Sequence, residues 1–163
     1  MDSLATLIEA DRKKRPPVHA IVAAEELPEA GVPEGIDILK RWVCRTESSF
    51  VSMALGALML APRELLQDEA FLDDVRGVLL SERLTGQHVR AASLLGVISR
   101  WPDPALGHAM QHDESAVVRG EAFRAALMLA GVPYASAREQ AGRVELGGVR
   151  ATPALVEEIA RGM

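Results

Sequence analysis

His108 and His112 stand four residues apart, and a helix through them would put both imidazoles on one face, beside Asp113 and Glu114. Imidazole nitrogens and carboxylates at that spacing are the chemistry of a metal site. Zinc needs three or four convergent ligands, and only His88, further upstream, offers another imidazole to this group. The HExxH pattern that would add a general base is missing, as is any cysteine cluster, so the two histidines read as surface residues near a helix end and no metal is expected. Asp113 and Arg119, six apart, form the other pair that could do acid–base work. Structural ion pairs are commoner than catalytic ones, so this pair is expected to hold a turn together. The chain has no Walker loop, dinucleotide fingerprint or nucleophile elbow. No cofactor is expected, and an enzyme is the less favoured reading.

Arginines are the second resource. Arg90, Arg119, Arg124, Arg138, Arg143 and Arg150 fall in the C-terminal half and could line one surface. Residues 86–163 hold eight bases and eight acids, however, and the whole chain carries a formal net charge of −5. Holding nucleic-acid phosphates would need the two signs segregated in space, and the overall charge disfavours nucleic acid or an anionic membrane as the main partner. Residues 47–85 hold seven acids against three bases, so one end is expected to be acidic. Of the two tryptophans, Trp42 sits on an apolar stripe and reads as core, while Trp101 lies at a turn between helices and reads as an interface residue.

The elements that would position these residues are helical. With 48% hydrophobic but only 4% aromatic residues, apolar contact must come mainly from Ala, Leu, Val and Met, which suits close-packed helices better than sheets. Ser3 or Asp2 can start a first helix that Pro16-Pro17 stops. A second is expected over 18–26, followed by a loop at "LPEAGVPEG" (27–35). Ile36, Leu39, Trp42 and Val43 mark a third, "ESSFVSMALGALML" a fourth, and two more cover 63–67 and 69–82. Thr85 is expected to cap a helix running to Arg100, Asp103-Pro104 to start the next, and Thr152-Pro153 to start the last. "RVELGGVR" (143–150) reads as a loop or a short hairpin. Cys44, the only cysteine, lies in an apolar stretch and is expected to be a buried thiol, and a lone cysteine suits a reducing compartment. With no signal-like N-terminus and no run of transmembrane length, the chain is expected to be cytoplasmic.

Superposing Val89 on Val118 aligns "VRAASLLG" with "VRGEAFRA", an offset of 29 residues. Small residues recur at matching places, Ser93 with Ala122 and Gly96 with Ala125, and "FVSMALGA" (50–57) is a weaker copy. Small residues at helical spacing let a neighbouring helix approach closely. In the second copy Val118, Ala122, Ala125 and Leu129 make one apolar stripe while Phe123 and Leu127 make another, so this helix must touch two layers. A period near 30 is the mark of stacked helical hairpins.

Residues 89–131, "VRAASLLGVISRWPDPALGHAMQHDESAVVRGEAFRAALMLAG", resemble the HEAT-repeat (armadillo-like) family, particularly its short bacterial repeats. The resemblance implies an all-α fold, a short right-handed α-solenoid, in which a turn Asp and an Arg six residues on help form polar ladders between repeats; here these are Asp113 and Arg119. Upstream the pattern departs, with Leu84 where the Asp paired with Arg90 would stand. On this basis the chain is expected to be a single all-α domain, with residues 1–46 as N-terminal capping helices, 47–131 as hairpins and 132–163 as a C-terminal cap. Its expected role is to bind another protein as an adaptor, scaffold or inhibitor-like partner, with Arg90, Trp101, Arg119, Glu121 and Arg124 as contact residues. The alternative implied by the resemblance is nucleic-acid binding, including a form similar to HEAT-like DNA glycosylases, and a weaker one is an accessory role for an enzyme such as a chromophore lyase. "GVRATPALV" (148–156) is similar to the loop before the cis-proline of thioredoxin-like proteins, but no CxxC accompanies it.

Overall fold

The computed structural model describes residues 2–163, and among them the secondary structure is entirely helical. Helices α1 (Ser3–Asp11), α2 (His19–Glu29), α3 (Pro33–Val43) and α4 (Ser48–Leu58) are followed by a short 3-10 turn at Arg63–Leu65 and by α5 (Glu69–Leu80). Then come α6 (Thr85–Ile98), α7 (Pro104–His112), α8 (Ala116–Leu129), α9 (Tyr134–Glu145) and α10 (Pro153–Gly162). The chain forms two compact units, residues 1–78 and 79–163, with the division falling inside α5. No helix among the described residues is long and apolar enough to cross a membrane.

In the first unit, α1 packs on α2 and α3 on α4, while α1 also meets α3 and α2 meets α4. Each helix therefore touches its hairpin partner and its counterpart two positions along. Helix α3 shows why such a segment folds: Pro33 pre-sets the first turn, Glu34 faces the positive end of the helix dipole, and Lys40 and Arg41 face the negative end. Its stripe of Ile36, Leu39, Trp42 and Val43 is buried, as the spacing predicts. Trp42 is fully buried, meets Phe50 edge-on at 4.7 Å between ring centroids, and donates its indole N–H to Asp11 Oδ1 at 2.6 Å.

Three local expectations are corrected. The stretch 27–35 is mostly helix, because α2 runs through Pro28 to Glu29 and α3 begins at Pro33. Leu27 must stay helical to lie against Gly35, where an added Cβ would come within 2.7 Å of the Leu27 Cβ. Thr85 is the first residue of α6 and does not cap it; Leu84 holds the cap position and its side chain makes no capping bond. Cys44 is exposed, since it follows the last turn of α3 and falls off the buried stripe. The expected starts at Asp103 and Thr152 are present: Asp103 accepts from the backbone N–H groups of Ala105 and Leu106, and Thr152 from that of Leu155. Residues 143–150 form no hairpin; α9 continues to Glu145 and Gly147 (φ 75°) turns the chain.

Arg45 staples the first unit in a way its sequence position does not advertise. Its guanidinium donates to the backbone carbonyls of Asp11 (2.9 Å) and Lys13 (2.9 Å), grips both carboxylate oxygens of Glu47, and stacks 3.9 Å from the centre of the Phe50 ring. The Arg45 hydrogen bonds hold the Glu47 carboxyl down from 4.5 to about 2. A depressed carboxyl contributes stability above its ordinary value and loses it as pH falls toward the folded one. Acidification from about pH 4.5 to about pH 2 is therefore expected to lower the melting temperature, and Glu47→Gln should flatten that part of the profile. Calorimetry across this range on both proteins checks it; parallel profiles would contradict it.

In the second unit α8 is central, packing against α6, α7, α9 and α10. Of its expected apolar stripes, Val118, Ala122 and Ala125 on one side and Phe123 and Leu127 on the other are fully buried, while Leu129 at the end of the first stripe is half-buried. Small residues set the helix spacing. A Cβ added to Gly96 on α6 would come within 2.7 Å of the Ala125 Cβ and 3.0 Å of its Cα, and one added to Gly120 would meet Glu145 and Ala141 of α9.

Candidate binding surface

Five side chains are candidates for contact with a partner, and each has a defined place in the second unit. Glu121 and Arg124, one turn apart on α8, pair with each other through two guanidinium hydrogen bonds. Glu121 also accepts from Ser93 Oγ on α6, and Arg124 lies 5.4 Å from the ring centre of Tyr134 on α9. Both are largely covered, with 16% side-chain exposure each. The hydrogen bonds to Glu121 raise the Arg124 pKa, so this cation is held firmly inside the protein's own network. The pair ties three helices together.

Arg119 is oriented differently. Its Nη1 donates to the backbone carbonyls of Asp113 (2.8 Å) and Glu114 (2.9 Å), so it closes the turn leading into its own helix. Asp113 meets a backbone donor in the turn, its Oδ1 accepting from Ser115 N–H at 2.9 Å, while its Oδ2 lies 3.1 Å from His88 Nδ1 on α6. His88 Nε2 donates to the Ser81 carbonyl at 2.8 Å. Sequence spacing within one repeat could not reveal this bond, because its partners are 25 residues apart.

Arg90 is exposed on α6. Trp101 is half-buried in the turn between α6 and α7 and donates its indole N–H to Glu157 Oε1 on α10. Of these residues Glu121 and Arg124 meet, while Trp101 bonds Glu157 and Arg119 bonds the carbonyls of its own turn.

Two clefts open beside these residues. One, of about 160 Å³, is lined by Ser81, His88, His108, His112, Asp113 and Glu114 among others. The imidazoles of His108 and His112 do share a face, with ring centroids 4.9 Å apart. His88 cannot complete a set with them while both its ring nitrogens are engaged, and no group of three or more His, Cys, Asp or Glu among the described residues is placed to hold a metal ion. The other cleft, of about 270 Å³, brings Arg119 and Arg150 to the same walls.

Comparison with known protein families, with curated proteins and with solved structures finds no match to this chain.

Proposed function

We propose that this chain is a non-catalytic protein–protein interaction module, an adaptor, scaffold or inhibitor-like partner, in which HEAT-like helical hairpins stack within each compact unit. The observation that carries this reading is the meeting of Gly96 with Ala125, because these two positions coincide when Val89 is laid on Val118. Equivalent residues of successive repeats touch when repeats are stacked, and stacked hairpins offer continuous side surfaces for partners. The α1–α4 packing, with counterparts in contact two helices along, supports the same reading in the first unit.

The internal pairing of Arg124 with Glu121 favours a protein over a nucleic acid as partner, since a neutralised guanidinium contributes little to phosphate binding. Arg90 and Trp101 are the residues assigned to contact. Affinity capture from a lysate of the source cells, with and without nuclease, tests the proposal together with Arg90→Glu and Trp101→Ala variants. One stoichiometric protein is expected to survive nuclease and to be lost from the variants while circular dichroism shows both variants still helical at the temperature of capture. Recovery of nucleic acid that nuclease removes would overturn the reading.

A further inference from the structure

The cleft of about 270 Å³ in the second unit is formed by Met110 and Gln111 at the end of α7, Arg119 on α8, Val144 on α9, and the turn that follows α9. The turn owes its shape to Gly147, whose positive φ of 75° lets the N–H groups of Gly148 and Val149 bond back to the Arg143 carbonyl at 2.8 and 3.2 Å. Folding back in this way brings Val149, Arg150 and Ala151 to the cleft.

Three kinds of group line it. Met110, Val144 and Ala151 are buried and Val149 is half-buried, which makes an apolar floor. Arg119 and Arg150 line it as well, and no carboxylate is among the lining residues. Arg119 is fixed by its two bonds to backbone carbonyls, both made through Nη1, so its Nε and Nη2 have no acceptor among the described residues. Arg150 is exposed and makes no hydrogen bond or ion pair among the described residues. Gln111 donates from Nε2 to the Gly107 carbonyl at 2.8 Å, and its amide oxygen is left as an acceptor with no donor among the described residues.

These groups ask for a matching ligand. Guanidiniums with free N–H groups in one cleft suit a carboxylate, an apolar floor suits an aliphatic side chain, and an unmatched amide oxygen suits an N–H donor. One chemical unit presents all three within a few bonds. We propose that this cleft binds the N-acylated aliphatic amino acid unit, its carboxylate held by Arg119 and Arg150, its amide N–H by Gln111 and its side chain on Val144, Val149 and Ala151. The unit has two sources, a free N-acyl amino acid or the last residue of a polypeptide. This assignment does not rest on the interaction-module reading, because it concerns a site that binds whether or not a larger partner is attached.

The test is a titration of the full chain, labelled with nitrogen-15, with N-acetyl-L-leucine, with its carboxamide, with a pentapeptide ending in leucine, and with inorganic phosphate. N-acetyl-leucine is expected to shift the amide signals of Gly147, Gly148 and Val149 in a saturable way at millimolar concentration, and the carboxamide to bind roughly tenfold or more weakly through loss of the charge-assisted bonds. Arg150→Ala is expected to weaken binding by a similar factor, roughly tenfold, with unchanged melting, since its side chain holds nothing else. A peptide that binds more tightly than N-acetyl-leucine assigns the site to polypeptide ends; equal affinity assigns it to the small molecule. Phosphate that competes as well as N-acetyl-leucine, a carboxamide that binds equally, or no saturation up to about 10 mM would each overturn the proposal.

Discussion

Replacing Gly96 with alanine is expected to destabilise the chain by about 1–3 kcal/mol, although alanine is the better helix former by about 1 kcal/mol. The reason is local to one helix crossing. The new methyl would sit 2.7 Å from the Ala125 Cβ and 3.0 Å from its Cα, so α6 and α8 must move apart and cannot simply reorient a flexible side chain. Separation would also lengthen the Ser93–Glu121 bond that spans the same two helices. Ala125→Gly in the same protein removes the obstructing methyl and is expected to recover part of the loss, with a coupling of about 1–2 kcal/mol in a double-mutant cycle measured by urea unfolding. Independent, additive effects would show that the close approach does not set the spacing of these helices. The same result would remove the main support for stacked repeats, since Gly96 and Ala125 are the equivalent positions.

Trp42→Ala is expected to cost about 3–5 kcal/mol. The indole fills a fully buried site against Phe50, and its N–H satisfies Asp11 Oδ1, which also lies 3.7 Å from the Arg45 guanidinium, while Asp11 Oδ2 accepts from Arg41 at 3.1 Å. Truncation opens a cavity and removes a neutral donor from a carboxylate that the two arginines would then hold without it. Trp42→Phe keeps most of the volume and loses the donor, so its expected cost is smaller, about 1–2 kcal/mol. Unfolding followed by circular dichroism separates the two contributions. A loss below about 1 kcal/mol for the alanine variant would mean that the first unit collapses around the space instead of keeping it.

Local signals were the legible part of this sequence. Asp103-Pro104 and Thr152-Pro153 start helices because a cap satisfies backbone donors two or three residues away, within reach of sequence spacing. The two apolar stripes of α8 were also readable, since helical period alone assigns Val118 and Phe123 to different sides. What spacing could not show depends on partners distant in the chain. Pro28 stays in α2 because packing of Leu27 on Gly35 outweighs the turn preference of the Pro- and Gly-rich segment. His88 bonds Asp113 across 25 residues, and Arg150 reaches the cleft of Arg119 only because Gly147 turns the chain back after α9. Charge counting could not tell Arg124, which is neutralised by Glu121, from Arg150, which is not.

The two tryptophans fall one to each compact unit, Trp42 within residues 1–78 and Trp101 within residues 79–163. One indole is sealed from water and the other is partly wetted. Their emission therefore differs in colour as well as origin, the sealed ring emitting further to the blue. A Trp101→Phe protein glows only from its first half and a Trp42→Phe protein only from its second, which makes the chain its own two-channel optical gauge of whether the halves melt as one or in succession.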